Sequence, residues 1–538
     1  MEKHFSEFSN ENQEFLDSLV AKALSLELSV NGNMLHPQVT EMAREIAKAF
    51  KGLPITALES LYQAKMKAYR EGSSEKLKEK LPPYALLAGI KFAINRMKIQ
   101  QISDPGLIVI NIPYFKEVHR AFPPSSAHPV GEDAPIQKLK DLLFLIENSK
   151  LSADVIYMND SISEKAESTN FEENTPYIYR YRLLEYLAAL KEEFPCVNVL
   201  SAGKETKFTP DALTDTNRLS AISEIRLHEG QLRIVFTSLE EYVSKANDAE
   251  ARLRFEERSS GGKIRERKGG AVVASLERGQ DIFRAGFKLD RVVNIMSDAD
   301  RAFPESAWLG DAVYSILQQG KIAYLADLKN KDTLNIGVVA PGTEEEDKVT
   351  KTKVLRRKLF LSGFLIPIFF PELNLVHHYT GTTQLPAKAF SGTIDYAKRK
   401  LGTMRTNVDL GLITTALAAA AKQGKVFGHG PLIAIENTAS STMTMADLTS
   451  EWEKTYGPIF ITVPDLLLDE KCKAEYAWLV NFLSGMTLKD YEKLFTDLMD
   501  ENVKGLFSII QANSREPYTK ETIAKIKNQL KVILQQQG

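Results

Sequence analysis

Apolar side chains recur at three- and four-residue spacing through the first hundred residues. This predicts helices over Gln13–Leu26, Pro37–Lys51 and Ile55–Gly72, punctuated by Gly52-Leu53-Pro54 and Pro82-Pro83. The pattern changes at Ile102. Gly106–Pro113 is a largely apolar run closed by proline, the signature of a buried strand. Pro135–Ser149 returns to helical spacing through Ile136, Leu139, Leu142, Leu143 and Ile146, and Ala153–Met158 is a second apolar strand. Strand, helix and strand in so short a span form a βαβ unit, the building block of a parallel sheet. Farther along, Tyr177–Glu193 reads as an amphipathic helix and Cys196–Leu200 as a short strand. Ile222–Leu227 and Gln231–Thr237 read as a hairpin turning at His228-Glu229-Gly230. A charged helix over Leu239–Arg258 enters the loop Ser259-Ser260-Gly261-Gly262-Lys263. Next come the basic turn Lys268-Gly269-Gly270, a helical run Ala271–Arg278, and the apolar strand Val292–Met296 ending in Ser297-Asp298-Ala299-Asp300. Beyond Glu436 the spacing is helical again, over Met445–Tyr456, Lys471–Ser484, Leu488–Gln511 and Lys520–Gln536. The pattern therefore predicts an α/β core with a mostly parallel sheet over residues 101–435, between a helical extension at 1–100 and a helical region at 436–538.

Ligands of open parallel sheets bind at the carboxyl ends of the strands. Here those ends carry Pro113-Tyr114, Asn159-Asp160 and Asp298-Ala299-Asp300. Alternate side chains of an extended segment share a face, so Asp298 and Asp300 are expected to point the same way. Two hard oxygen ligands with coordination positions left over suit Mg²⁺ or Mn²⁺ bridging nucleotide phosphates; two solvated aspartates in a turn would show the same spacing. Asp160 can accept hydrogen bonds from a base or ribose hydroxyl, and Tyr114 can lie near a base. Asn159, Asp160 and Ser161 serve equally well as helix caps. The helices before Ile102 carry no candidate ligand, so they are expected to be separable from a nucleotide site.

Composition narrows the class. At 538 residues, with 43% apolar and 26% charged side chains, the chain has the make-up of a globular protein. A formal charge of −2 provides no basic field and argues against general nucleic-acid binding. Two cysteines, Cys196 and Cys472, exclude a disulfide framework or a cysteine-based zinc site and fit a reducing cytoplasm. The first residues are polar, without a signal-peptide core. The most apolar run, Leu359–Phe370, is too short to span a bilayer, is interrupted by Pro367, and reads as a buried helix.

Taken in order, I-P-Y-F after the first strand, N-D-S after the second, K-G-G-A before a helix and S-D-A-D after an apolar strand resemble a nucleotide-sugar glycosyltransferase of the GT-A fold, a Rossmann-type architecture. The order continues through Arg356-Arg357, Phe370-Pro371-Glu372-Leu373, Tyr379-Thr380-Gly381-Thr382, Asn407-Val408-Asp409-Leu410-Gly411-Leu412 and a segment with His429. Over residues 105–435 it is similar to the retaining mannosylglycerate synthase and glucosyl-3-phosphoglycerate synthase group. The resemblance implies that Asp298 and Asp300 hold a divalent metal, with His429, in a tight glycine-containing loop, as third ligand. It implies that Lys268 and Gly269 meet the diphosphate, that Pro113, Tyr114, Asn159 and Asp160 meet the nucleoside, and that Asp409 lies by the sugar. Asp409 also precedes the alanine-rich helix Leu412–Ala421, where a capping role would explain it. Arg356 and Arg357 suit a charged acceptor or phosphate. One departure stands out: the relatives' glutamate-containing loop is here Thr380-Gly381-Thr382, so a strong acceptor for sugar hydroxyls is missing and a glycerate-type acceptor does not follow.

The implied activity is metal-dependent transfer of a hexose, with retention, from a GDP-mannose or UDP/GDP-glucose type donor to a hydroxyl acceptor. That acceptor would be a small molecule, such as a hydroxy acid or phosphorylated glycerate, or a glycan. A sugar-nucleotide nucleotidyltransferase is the second enzyme class, but Ile110–Arg120 lacks its glycine-rich basic signature. A non-catalytic nucleotide-sugar-binding protein is the third reading. The terminal helices would either cover the catalytic core or form a homo-oligomer interface.

Overall fold

The computed structural model describes residues 35–50, 53–71, 77–114, 134–159, 178–190, 196–238, 286–297, 304–320, 324–336, 376–377, 383–386, 428–437, 473–477 and 519–535, with a few isolated positions. Helices α1 (Leu35–Ala49), α2 (Ile55–Glu71) and α3 (Leu77–Gln100) come first. The spacing pattern locates α1 and α2 closely. Helix α3 begins upstream of Pro82-Pro83 and runs through them instead of being interrupted. The prolines lie toward its N-terminal end, and the burial of Ala85, Leu87, Ala88, Ile90, Phe92 and Ile94 beyond them outweighs the backbone hydrogen bonds they forfeit.

Then follow β1 (Gly106–Tyr114), α4 (Ala134–Ile146), β2 (Leu151–Asn159), α5 (Ile178–Ala189), β3 (Val197–Ser201) and β4 (Lys204–Lys207). After these come α6 (Thr216–Ala221), β5 (Ile222–Leu227), β6 (Leu232–Ser238), β7 (Val292–Met296) and α7 (Pro304–Leu317). All belong to the first of two compact units, Met1–Gly320 with Pro386–Lys388 and Ile433–Asn437. Further described elements are β8 (Tyr324–Ile336), β9 (Val376–His377), β10 (Thr383–Pro386), β11 (Gly428–Asn437) and α8 (Lys520–Gln535). β8 pairs antiparallel with β9 at Asp327↔Val376 and with β10 at Gln384↔Tyr324.

The sheet of the first unit runs β7-β1-β2-β6-β5-β3-β4. β1 pairs in parallel with β2 and with β7, and β2 in parallel with β6. The β6-β5, β5-β3 and β3-β4 pairs are antiparallel. Most strands thus point the same way, the α/β arrangement with a mostly parallel sheet that the pattern implies. β1 is buried at every position, which accounts for an apolar run interrupted only by Asn111. The β5–β6 hairpin turns where expected, with positive φ at His228, Glu229 and Gly230. β4 is exposed throughout, and its two lysines suit a strand at the end of a sheet. One face of the sheet is filled by Leu107, Val109, Ile156, Val235 and Val292, with Phe287 against them.

Helix α3 packs against α1, α2 and α7. Two glycines set how close the backbones come: a methyl group at Gly89 would overlap Ile46 of α1, and one at Gly310 of α7 would overlap Asn95 of α3. Charges are buried in the same layer. Arg44 of α1 donates to Asp141 of α4 and, at 3.0 Å, to Gln137 Oε1. Asp311 of α7 accepts from Lys91 and, at 3.0 Å, from Lys98, which also meets Glu59 of α2 at 2.9 Å. Burial opposes ionisation of Asp311, but Lys91 and Lys98 outweigh it and hold the carboxyl below its ordinary 3.8. On the sheet, Arg233 holds Asp154 through both carboxylate oxygens, at 2.7 and 2.5 Å. Burial still wins there, and the Asp154 pKa is raised. Among the described residues no helix is long and apolar enough to cross a membrane.

Removing one partner of a buried ion pair costs far more than removing an exposed one. Arg44→Ala should therefore lower unfolding stability by about 3–5 kcal/mol, whereas Lys48→Ala, which breaks an exposed pair with Glu45, should cost at most about 1 kcal/mol. Urea unfolding at neutral pH distinguishes the two. Because the Asp311 pKa is depressed, its contribution is present above 3.8 and is lost as pH falls through the lower, folded value. The stability gap between the wild type and Asp311→Asn should accordingly narrow on acidification below that range.

Candidate functional site

From β1 the chain moves through α4 to β2, with β6 beyond it, and returns along β7 to the opposite side of β1. The strand order therefore reverses between β1 and β7, and the crevice at their carboxyl ends is where an open α/β sheet takes its ligand. Hydrogen bonds hold β7 at both ends. Just before it, Arg291 donates to the carbonyls of Asp104 at 2.7 Å, Pro105 at 3.1 Å and Leu317 at 3.0 Å. Just after it, the Ser297 N–H donates to the Asn111 carbonyl at 3.0 Å. Asn111 Nδ2 donates to the Ile295 carbonyl at 3.2 Å, and Lys138 Nζ of α4 donates to Ser297 Oγ at 2.7 Å. The register Asn111↔Met296 leaves β1 extending past the last residue of β7 by Ile112, Pro113 and Tyr114.

Ser297 and Ala299 are both buried, at 0% and 1% exposure. Asn294 is level with Val109, so its side chain leaves the same sheet face as that of Asn111. Both asparagines are buried, and Asn111 Oδ1 and the whole side-chain amide of Asn294 lack hydrogen-bond partners among the described residues. Buried polar atoms are normally satisfied by protein or water, so these two amides set this face of β1 and β7 apart from the apolar cluster that otherwise fills it.

The neighbouring strand ends are level with one another: Tyr114 pairs with Asn159, and Asn159 with Ser238. Tyr114, Tyr157 and Phe236 form a row along one face, with ring centres 6.3 and 5.8 Å apart, and the Arg180 guanidinium of α5 lies 5.3 Å from the Phe236 ring centre. The Tyr114 ring is thus part of the packing beneath the strand ends.

Of the residues singled out in the sequence, Pro113 and Tyr114 end β1 and Asn159 ends β2. Asp160, Lys268, Gly269, Asp298, Asp300, Arg356, Arg357, Thr380, Gly381, Thr382 and Asp409 lie outside the described residues, as do the runs Leu359–Phe370 and Leu412–Ala421. His429 belongs to strand β11 instead of the tight loop expected from its glycines. The apolar residues Leu432, Ile433 and Ile435 favour an extended segment that includes the glycines and Pro431. Among the described residues no three His, Cys, Asp or Glu side chains gather into a metal-sized cluster. Two carboxylates, as implied by the sequence, suit Mn²⁺ or Mg²⁺ chemically, and the run that carries the two aspartates begins at Ser297. Lys138, Asn111 and Ser297 were not evident as site residues in the sequence. A signal was available for the first: α4 has apolar residues on nearly every side, so its charged side chains must be buried and partnered.

No family model matches the chain, and no curated protein matches it. Seven chains of solved structures match. One is the mannosyltransferase PcManGT from Pyrobaculum calidifontis, in complex with GDP-Man and Mn²⁺. It is 11% identical, covers 91% of this chain and 92% of its own, and has a TM-score of 0.26. At that TM-score the fold assignment rests on this chain's own strand order and register.

The packing of Tyr114 separates two roles. Tyr114→Ala should destabilise the protein by about 3 kcal/mol or more, because a ring 6% exposed is lost from the aromatic row. Tyr114→Phe should keep most of the stability. Thermal unfolding and nucleoside diphosphate titration of both variants check this; a stable Tyr114→Ala protein would show that the ring is not structural.

Proposed function

We propose that the chain is a metal-dependent nucleotide-sugar glycosyltransferase, moving a hexose with retention from a GDP-mannose or UDP/GDP-glucose type donor to a hydroxyl acceptor. The observation that carries the reading is the return of β7 beside β1, because it brings Ser297, the start of the S-D-A-D run, to the strand-order reversal near Pro113 and Tyr114. Pro113, Tyr114, Asn159 and Asp160 take the nucleoside, and Lys268 with the backbone at Gly269 takes the diphosphate. Asp298, Asp300 and His429 hold Mn²⁺ or Mg²⁺. When bound, the ion supplies Lewis-acid stabilisation of the departing diphosphate.

In the transfer, the bond from the anomeric carbon to the diphosphate oxygen breaks as the bond to the acceptor oxygen forms on the same face. The acceptor proton passes to the departing diphosphate. Lys268 offsets the developing charge as a positioned cation, and Asp409 orients the sugar hydroxyls. Thr380, Gly381 and Thr382 line the sugar, while Arg356 and Arg357 meet a charged acceptor or phosphate. Thr380-Gly381-Thr382 adds no carboxylate, so we assign the acceptor only as a hydroxyl compound, small molecule or glycan. The two-cysteine composition supports a cytoplasmic location.

Asp298→Ala and Asp300→Ala should each abolish Mn²⁺-dependent binding of UDP or GDP while leaving the fold intact. Lys268→Ala should weaken diphosphate binding and slow turnover by about 10²–10³-fold, the usual cost of losing one charge-stabilising donor. Asp409→Ala should slow transfer from labelled nucleotide hexoses far more than it weakens binding of the free diphosphate, which has no sugar to touch. Unchanged Mn²⁺-dependent affinity in either aspartate variant contradicts the metal assignment. A wild type that binds nucleotide sugars but neither hydrolyses nor transfers them favours a binding protein.

A further inference from the structure

We infer that Lys138 is a positioning residue that fixes where the S-D-A-D run leaves the sheet; the inference rests on the proposed metal-dependent nucleotide site. Lys138 is 5% exposed and belongs to α4, the crossover helix between β1 and β2. Its ammonium donates to Ser297 Oγ at 2.7 Å in a buried contact spanning the chain from residue 138 to residue 297. Ser297 is consequently held at two points on different elements, its backbone by the Asn111 carbonyl of β1 and its hydroxyl by Lys138 of α4. Asn111 Nδ2 adds a third bond, to the carbonyl of Ile295. Three successive residues, Ile295, Met296 and Ser297, are therefore registered against β1 and α4 immediately before Asp298.

The choice of lysine has a physical reason. A buried ammonium is costly to desolvate and persists only where its donors are used. A hydrogen bond from a charged donor is shorter and stronger than one between neutral groups. Such a bond to the residue preceding a metal-binding run restricts the run before the ion arrives. Binding of ion and nucleotide then orders fewer degrees of freedom, and the affinity rises accordingly. Lys138 acts through Ser297, so it positions the site without being assigned to substrate or metal.

The same helix connects this clamp to the N-terminal layer. Gln137 and Asp141, flanking Lys138 in α4, both bond Arg44 of α1. The orientation of α4, and with it the reach of Lys138, is thus also held by α1.

The test uses the full chain with Lys138→Met, Lys138→Arg, Ser297→Ala and the Lys138→Met/Ser297→Ala double variant. Amide hydrogen exchange over residues 292–303, without metal or nucleotide, reads the clamp directly. Exchange should rise in Lys138→Met and Ser297→Ala and remain closer to wild type in Lys138→Arg, which keeps a charged donor. Titration of GDP and UDP with Mn²⁺ reads the consequence. Both single variants should bind about tenfold more weakly or worse, as expected for a lost charge-assisted hydrogen bond, with the double variant little worse than either single. If Lys138→Met proves unstable, Ser297→Ala carries both readouts alone. Unchanged exchange in the single variants overturns the clamp whatever the nucleotide result. Raised exchange with unchanged Mn²⁺-dependent affinity overturns its positioning role. A wild type that binds neither nucleotide in the presence of Mn²⁺ overturns the proposed function instead, and that result leaves the exchange readout to decide the clamp.

Discussion

Strand β1 hydrogen-bonds in parallel to β2 along one edge and to β7 along the other, and the positions of the remaining parts of the first unit follow from that double pairing. Such a strand has no solvent face, so its sequence cannot alternate; Leu107, Ile108, Val109, Ile110 and Ile112 are all buried. Parallel neighbours also require long connections. The connection to β2 is the helix α4, and the return to β7 comes after β6. A one-residue slip of β7 would send Val292, Asn294 and Met296 to the opposite face. Arg291 at the start of the strand and Asn111 at its end oppose such a slip, each through hydrogen bonds to backbone carbonyls.

Helix α4 has a second function besides covering the sheet. Its charged side chains reach in two directions: Asp141 toward Arg44 in α1, and Lys138 toward Ser297 at the end of β7. The sequence suggests that helices before Ile102 are separable from a nucleotide site, because none of them carries a candidate ligand. The buried Arg44–Asp141 pair ties the first of them, α1, to α4. Helix α1 supplies the countercharge for Asp141 of α4, and the Lys91–Asp311–Lys98 cluster ties α3 to α7 in the same layer.

Periodicity was enough to locate α1, α2, β1, α4, β2, β7 and the β5–β6 hairpin, because each buries a continuous face or a whole strand. It gave no warning that α3 continues through Pro82-Pro83, since tertiary burial outweighed a local helix-breaking signal. It also left β8 unmarked. The sequence Tyr-Leu-Ala-Asp-Leu-Lys-Asn-Lys-Asp-Thr-Leu-Asn-Ile has no long apolar run and little regular alternation, so its extended form depends on strand neighbours. The glycines around His429 read as a loop, whereas the apolar residues after them continue a strand. At the site, motif reading reached the strand ends at Pro113, Tyr114 and Asn159. Lys138, Asn111 and the hydroxyl of Ser297 carry no motif signal, because their contacts join residues far apart in the chain.

The central claim is that the end of β7 beside β1 is where the metal and nucleotide bind. Crystals of the full chain grown with Mn²⁺ and either GDP or UDP would test it through the anomalous scattering of manganese. The account predicts a peak at the carboxyl ends of β1 and β7, within coordination distance of the carboxylates that follow Ser297 and next to the bound diphosphate. A bound nucleotide with manganese elsewhere, or a nucleotide seated away from the strand-order reversal, would contradict it.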